Sequence, residues 1–402
     1  MILLVLVLLL LLLPLLALLF LEGIYRVFRY VKHGYVGFVY MDTVGLLGNH
    51  DVYGYCLMPN FDSTKLSEKM RFGEEGRGFF LDNVVKINSL GFRGEEFSVT
   101  KEKDVYRVLT LGGSTTYCVG DNDKTWPAYL EKALNDKAKA GYRIEVINGG
   151  VPNWQSVHSL TRFRNEGVYF EPDLVILHTG WNDAGKSTKK KDRNRLVYKH
   201  GLKNCSNQTK NIKTEVFPAS KPSFLVENIL LYRQVQARLI WKYMKKPYER
   251  LAQVIDTEAP LYSEWVRAWK ENVYRLIDIA RENGSEVILI DYPGLARTGV
   301  GPDEREQIYL RTRVSREEYY DYWMRQKELL SQHIHDMGAE KNAHVVDAAL
   351  FFDRYAGERR IELFKDAMHL YEEGDSILAD HIAREILKGK DEYGLAPFVK
   401  EI

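Results

Sequence analysis

The chain has 402 residues, 45% of them hydrophobic and 28% charged, which is an ordinary balance for a globular protein with one large domain or two modest ones. Its 56 Lys and Arg residues nearly equal its 55 Asp and Glu residues, so the formal net charge is +1. This balance argues against nucleic acid as a partner, because binding phosphates needs a basic excess. The three cysteines, Cys56, Cys118 and Cys205, form no CxxC pair, which excludes a disulfide framework or zinc ribbon and predicts buried free thiols.

The N-terminal residues 1–21 contain no charged side chain and are dominated by leucine. About 20 apolar residues suffice for a helix to cross a bilayer, so residues 1–23 are predicted to be a transmembrane anchor. The alternative, a cleaved signal peptide, normally has a shorter apolar region and a small-residue cleavage site, which this sequence lacks. Three basic residues, Arg26, Arg29 and Lys32, follow the apolar stretch, and none precedes it. Because basic residues tend to stay on the cytoplasmic side, this count favours a cytoplasmic catalytic domain.

After the anchor, residues 24–103 are rich in Gly, Tyr and Phe and predict a small irregular extension with a few strands. Beyond residue 104, continuous apolar strands alternate with helical patterns, which indicates an α/β domain with a parallel sheet covered on both faces. The predicted strands are Val105–Leu111, Ile144–Asn148, Leu174–His178 and Glu286–Asp291. The predicted helices are Thr125–Ala140, a helix ending near residue 166, and 263–283.

An insertion at about residues 184–260 interrupts this alternation, with a basic first part and an apolar, helical second part, Phe224–Met244. A solvated loop followed by a packed helix is the favoured interpretation, because charge runs are usually solvated. The alternative is a lid, or a surface for anionic lipid or polymer, since the insertion directly follows the carboxyl end of a strand.

Ligands of open parallel sheets bind beyond the carboxyl ends of the strands, so the residues just after each strand are the candidates. Gly112-Gly113-Ser114 follows the first strand, and two glycines allow a sharp turn that exposes the Ser114 hydroxyl at a helix N-terminus. That position favours the negative charge that develops during acyl transfer. An N-cap serine is the simpler alternative, and a phosphate loop is disfavoured because no Gly-Lys-Ser/Thr follows.

The later strands and the C-terminal region add further candidates. Gly150 can bring its N–H close to a substrate oxygen, and the Asn182 amide can donate to an oxyanion, although a turn and a helix cap are the alternatives. Asp366 precedes His369 by three residues, so a short turn can present both. His369 is then a candidate general base, and Asp366 the group that holds its tautomer.

Taken in chain order, the short motifs that contain Ser114, Gly150, Asn182 and the Asp366–His369 pair resemble the conserved sequence blocks of a known family. This family is the SGNH hydrolase (GDSL-like esterase/lipase) superfamily, of the N-terminally membrane-anchored type. Ser114 is similar to the nucleophile of the first block, Gly150 and Asn182 to the Gly and Asn of the next two, and Asp366-x-x-His369 to the last. The resemblance implies a catalytic triad of Ser114, His369 and Asp366. It also implies an oxyanion hole built from the N–H groups of Ser114 and Gly150 and the Asn182 amide.

The same resemblance implies a three-layer α/β/α sandwich with a flavodoxin-like parallel sheet of about five strands. It covers residues 104–390, apart from most of the insertion, and leaves 391–402 as a C-terminal tail. One departure is Gly113, where the GDSL form has Asp. Because many anchored members share this departure, it bears on the subfamily and not on the triad.

The expected function is serine-dependent ester hydrolysis through an acyl-enzyme, on an acylated lipid or an O-acetylated carbohydrate at a membrane. The same residues make an O-acyltransferase if a sugar hydroxyl resolves the intermediate, and a non-catalytic carbohydrate- or lipid-binding module is the third alternative. No cofactor and no metal is expected. Anchored members of the family carry the domain outside the cytoplasm, so an extracytoplasmic domain is expected despite the charge count.

Three further features have mainly structural interpretations. His178 ends a strand and is expected to be a hydrogen-bonded core histidine. His333 and His335, with Asp336, lie on a polar helical stretch, and their i, i+2 spacing does not put both rings on one helix face. Tyr292-Pro293-Gly294 after the fourth strand is expected to turn the chain or to form the rim of the site.

Overall fold

The computed structural model describes residues 2–33, 46–50, 52–66, 83–185, 264–296, 317–355 and 359–401, with residues 300, 301 and 305. Nearly all of the predicted insertion, together with Cys205, therefore lies outside the described residues. Of the other two cysteines, Cys118 is buried as predicted, whereas Cys56 is only partly buried.

A five-stranded parallel sheet forms the centre of the domain, as predicted, with strand order β4-β3-β5-β6-β7. Its strands are rich in Val, Leu and Ile, and every residue of β3 and β5 is buried, as expected for a sheet covered on both faces. The position of the fifth strand was not predicted, because its three residues are too few for a periodic pattern. The strands are β3 Val105–Gly112, β4 Arg143–Gly150, β5 Leu174–His178, β6 Glu286–Ile290 and β7 His344–Val346.

Helices pack on both faces of the sheet and enclose two separate apolar cores. One core joins the sheet to α3, α8 and α10, and the other joins it to α4, α6 and α7. Two short helices, α2 and α5, directly follow strands β3 and β5. After α1, which is described below, the helices are α2 Ser114–Tyr117, α3 Trp126–Asn135, α4 Ser156–Asn165, α5 Trp181–Gly185, α6 Glu264–Glu282, α7 Glu317–Lys341, α8 Ala348–Tyr355, α9 Arg360–Leu363 and α10 Glu372–Lys388.

Helix α3 begins at the predicted place but ends five residues before the predicted end, Ala140. Thr125 caps its start, since its Oγ1 accepts the N–H of Ala128 at 3.3 Å. At its end, the Asn135 amide binds both backbone groups of Ile144, at 3.0 and 2.7 Å. These bonds tie the helix end to β4, so the chain turns back earlier than its helical pattern predicts.

The N-terminal helix α1, Ile2–His33, continues ten residues beyond the predicted anchor. Of the side chains described between Leu12 and Val31, many of the apolar ones, such as Phe20 and Val31, are exposed. Among the parts of helices that the structure describes, none is long and apolar enough to cross a membrane. The predicted anchor thus stays a prediction.

The extension contains a two-stranded antiparallel hairpin, β1 Leu47–His50 and β2 Gly54–Leu57, which agrees with the few strands predicted. This hairpin shares an apolar cluster with Tyr117 and Trp154 of the sheet domain, and Tyr25 of α1 packs against it. The Tyr55 hydroxyl also donates to the Pro152 carbonyl, at 3.1 Å. The extension therefore packs against the loops that follow β3 and β4.

Candidate active site

Strand β3 delivers Ser114 to the carboxyl edge of the sheet through Gly112-Gly113. A Cβ at Gly113 would lie only 2.7 Å from the Asn182 amide nitrogen and 3.2 Å from the Trp154 carbonyl oxygen, so a side chain cannot fit without displacing them. This close approach gives a physical reason for the departure from the GDSL pattern at position 113. Helix α2 after Ser114 has only four residues.

The structure brings Ser114, His369 and Asp366 together in one hydrogen-bonded chain. Ser114 Oγ lies 2.7 Å from His369 Nε2, and His369 Nδ1 lies 2.8 Å from Asp366 Oδ2. This network assigns the imidazole proton to Nδ1, which donates to the carboxylate and leaves Nε2 to accept the serine proton. Ser114 and His369 are each 9% exposed, so both are largely shielded from water yet retain an accessible edge.

Local hydrogen bonds hold the turn that carries Asp366 and His369. The other carboxylate oxygen of Asp366 accepts the N–H groups of Met368 and His369, each at 2.9 Å. The N–H of Leu295, in the loop after β6, donates to the Ala367 carbonyl at 2.9 Å. The orientation of His369 is thus set both by its own turn and by the neighbouring strand end.

The electrostatics of this pair keep Asp366 ionised. Burial by itself raises the pKa of Asp366, but the His369 ring and the two backbone N–H groups outweigh it and lower the pKa to about 2. An ionised carboxylate is what the triad requires, because it stabilises the imidazolium that forms when the base takes a proton.

The candidate oxyanion donors differ in how they are placed. The Asn182 amide lies against Gly113, immediately before Ser114, and one of its N–H groups donates to the Trp154 carbonyl at 2.9 Å. An amide nitrogen carries two N–H groups, so one remains for a substrate oxygen. Asn182 therefore lies where the predicted role needs it.

Gly150 has a different environment from the one its predicted role requires. Its N–H donates to Asn148 Oδ1 at 3.0 Å, and a Cβ there would lie 2.8 Å from Tyr117 Cα. In this geometry, Gly150 allows β4 to pack against the backbone of α2, and its N–H is already engaged. Asn153, further along the same loop, adopts a left-handed conformation with φ of 63°.

Asp183, next to Asn182, contacts the start of α4. Its carboxylate accepts the Ser156 N–H at 3.0 Å and the Ser156 hydroxyl at 2.7 Å, at the start of α4. The buried Asn272 amide donates to that hydroxyl at 3.0 Å. Asp183 thus anchors the loop that carries Asn182 to two helices, which is a capping role across the fold.

His178 is buried, as predicted, but it is not held by the expected hydrogen bond. In the described part of the chain neither ring nitrogen has a hydrogen-bond partner, and the ring packs on Tyr292 with a centroid distance of 4.3 Å. Burial lowers the pKa of His178 to about 3, so the ring is neutral. A cavity of about 10 Å³, about the size of one water molecule, is lined by His178, His369 and Asp375 among other residues.

Arg93 is a contributor that the sequence interpretation missed. It is 4% exposed, and its Nη1 donates to the carbonyls of Tyr117 and Cys118 at 2.6 and 2.9 Å. Nη2 donates to the Gly120 carbonyl, and the guanidinium stacks on the Tyr117 ring at 4.3 Å. Arg93 therefore positions the chain just after α2, the serine helix, which begins at Ser114. In the sequence, Arg93 lies in the glycine-punctuated stretch Asn-Ser-Leu-Gly-Phe-Arg-Gly, and this stretch is the feature that could have indicated its role.

Comparisons with known proteins indicate the family of this chain. The sequence matches the model of the GDSL-like Lipase/Acylhydrolase family over residues 110–377, a range that includes all five block residues. No curated protein matches the sequence.

Solved structures with a similar fold have low sequence identity to this chain. The lipase/acylhydrolase from Enterococcus faecalis is 17% identical, with a TM-score of 0.40, and covers 74% of this chain and 100% of its own. A catalytic mutant of an acetylxylan esterase from Geobacillus stearothermophilus is 14% identical, with a TM-score of 0.38, and covers 70% of this chain and 94% of its own. A GDSL-like lipase from Bacteroides thetaiotaomicron is 15% identical, with a TM-score of 0.36, and covers 70% of this chain and 88% of its own.

Proposed function

The chain belongs to the GDSL-like lipase/acylhydrolase family and is an ester-hydrolysing enzyme, and we propose that it works through an acyl-enzyme formed on Ser114. The observation that carries this proposal is the continuous chain from Ser114 Oγ through His369 to Asp366, with links of 2.7 and 2.8 Å. His369 takes the serine proton as the oxygen attacks the ester carbonyl. His369 then returns the proton to the leaving alcohol, and water attacks the acyl-enzyme with the same base.

The negative charge on the carbonyl oxygen needs donors that are in place before the reaction. The Asn182 amide is the donor that the geometry supports. The Ser114 N–H is proposed beside it on the resemblance to the family. The predicted contribution of Gly150 has no such support, since its N–H donates to Asn148. Removing one oxyanion donor typically lowers kcat by about 10²–10³-fold, so we expect that loss for Asn182→Ala.

A fluorophosphonate probe, which reacts with an activated serine, tests the proposed nucleophile and base. We expect the full-length wild type to be labelled, whereas Ser114→Ala and His369→Ala remain unlabelled. Ser89→Ala is the matched control, because that hydroxyl is exposed and donates to Glu96, and it keeps wild-type labelling. A folded but unlabelled wild type would favour the non-catalytic binding module instead.

The proposed substrate class is an acylated lipid or an O-acetylated carbohydrate at a membrane. Support comes from the uncharged residues 1–21 and from Tyr25 of α1, which packs on the apolar cluster that contains Tyr117 and Trp154. The domain that carries the triad is thereby held close to α1. Product analysis with acetylated sugars, short esters and long-chain lipids identifies the acyl donor. Adding a sugar acceptor separates hydrolysis from O-acyl transfer.

Membrane attachment through the N-terminal residues, with the catalytic domain outside the cytoplasm, completes the proposal. Cell fractionation should place the full-length chain in the membrane pellet, and removal of residues 1–23 should release it. In intact cells, a membrane-impermeant serine probe should label Ser114. Labelling that appears only after lysis would place the domain on the cytoplasmic side, as the charge count favours.

A further inference from the structure

Three potential metal ligands converge at the carboxyl edge of the sheet, outside the proposed triad. Asp291 directly follows β6, Asp347 directly follows β7, and His335 lies on α7. One ligand atom from each residue lies within 4.8 Å of the other two. We propose that Asp291, His335 and Asp347 bind a divalent transition-metal cation of the zinc class.

The spacing of the three atoms suits a bridging ion better than direct contacts. His335 Nε2 lies 3.7 Å from Asp291 Oδ2 and 3.9 Å from Asp347 Oδ2. Both distances exceed the roughly 2.7–3.2 Å of an ordinary N–H···O hydrogen bond. Zinc binds imidazole nitrogen and carboxylate oxygen at about 2.0–2.2 Å, so two such ligands at tetrahedral to trigonal angles are about 3.3–3.8 Å apart. The His335–Asp291 distance falls in this range, and the His335–Asp347 distance slightly exceeds it.

Further hydrogen bonds orient both carboxylates toward His335. The Ser331 hydroxyl, one turn earlier on α7, donates to Asp291 Oδ2 at 2.7 Å. Backbone N–H groups in the first turn of α8 donate to the Oδ1 atoms of Asp291 and Asp347, at 2.8 and 2.9 Å. The Oδ2 atoms of both residues are thereby turned toward the imidazole. Such outer contacts are typical of metal sites, where they fix the ligand rotamers.

The charges in this cluster also call for a cation. Asp291 is completely buried, yet the fold places a second carboxylate, Asp347, beside it. Lys327, a cation that also acts on Asp291, is paired with Asp353 at 2.7 Å. A protonated His335 can offset only one of the two carboxylate charges. A dication would compensate both carboxylates at once. The side chains of Asp347 and His335 are 38% and 44% exposed, which leaves an entry path and room for water ligands.

The expectation of no metal site rested on the spacing of His333 and His335 along one helix. The three ligands come instead from three separate elements, which the fold brings together at one edge of the sheet. The site adjoins the catalytic loop, because Asp291 begins the segment whose Leu295 N–H donates to the Ala367 carbonyl. A bound ion would therefore stabilise the strand ends that support the Asp366–His369 turn.

Zinc titration of the chelator-stripped, full-length chain tests the site, with binding stoichiometry and thermal unfolding as readouts. We expect one tightly bound ion per chain and a rise in Tm. His335→Ala and Asp347→Asn should bind that ion at least about tenfold more weakly, because each removes one of three ligands. Asp336→Asn is the matched control, since the neighbouring Asp336 faces Lys270 and His333 and should keep full binding.

His335→Lys separates metal binding from simple charge compensation, because lysine restores a positive charge without an imidazole ligand. The proposal expects the Tm of this variant to be independent of zinc. Two results would overturn it: a wild-type Tm that zinc does not change, or a bound ion that His335→Lys and Asp347→Asn retain at wild-type affinity. If His335→Ala does not fold, the wild type and these two variants still decide.

Discussion

Replacing Arg93 with Met tests whether the N-terminal extension positions the nucleophile. Methionine fills much of the arginine volume but removes every donor, so the change isolates the polar contacts. Three backbone carbonyls after the serine helix, those of Tyr117, Cys118 and Gly120, lose their guanidinium partner. All three belong to buried residues, so water cannot easily replace the lost bonds.

The expected loss follows from the cost of unsatisfied buried acceptors. Leaving one such group without a partner costs about 1–3 kcal/mol, and local relaxation recovers part of the sum. With three such acceptors and partial relaxation, we expect Arg93→Met to lower the free energy of unfolding by about 3–5 kcal/mol. A small shift of α2 also misplaces Ser114 relative to His369, so we expect serine labelling to slow by at least about tenfold.

Urea unfolding and the rate of fluorophosphonate labelling measure the two effects in the full-length chain. Arg275→Met is the matched control, because the Arg275 side chain is 59% exposed and pairs with the exposed Glu271 at the surface. A surface pair of this kind is worth at most about 1 kcal/mol. If Arg93→Met stayed within 1 kcal/mol of the wild type, or labelled at the wild-type rate, the positioning role would be refuted.

Two further predictions concern buried carboxyl groups. Burial raises the pKa of Asp375, so the folded state favours the neutral form of this carboxyl, and the stability of the wild type falls as pH rises through the raised pKa. Asp375→Asn should remove this fall. Curves of Tm against pH that run parallel for the wild type and the variant would contradict the prediction. The pKa of Asp366 is lowered from 3.8 to about 2, so its contribution, at most about 2 kcal/mol, is present above pH 3.8 and lost toward pH 2. Asp366→Asn should therefore unfold more easily than the wild type near neutrality and match it near pH 2; a stability gap that is constant with pH would exclude the mechanism.

The sequence predicted the central strands well, because long apolar runs have few alternative structures. Val105–Leu111 and Leu174–His178 both form strands with bounds within one residue of the prediction. The predicted end of α3 was wrong, because the helix ends where the Asn135 side chain binds the backbone of Ile144. Strand β7 was missed because it is short and depends on pairing with β6.

Within the site, the order of the motifs and their resemblance to a known family predicted which side chains would meet. Ser114 and Asn182 follow β3 and β5, whose carboxyl ends lie at the same edge of the sheet, so the proximity of these two residues follows from the topology. The backbone geometry did not follow in this way. Whether the Gly150 N–H is available depends on the Asn148 side chain, and that contact exists only in the folded loop.

The sequence by itself therefore determined the α/β architecture and the family of this protein, because hydrophobic periodicity and motif order are local properties of the chain. Only the tertiary structure decided the contacts between distant segments. Arg93 reaches the carbonyls after Ser114 from the extension, and Asp291, His335 and Asp347 meet from three separate elements. Such contacts depend on side-chain directions and distances after packing, and spacing along the sequence does not specify them.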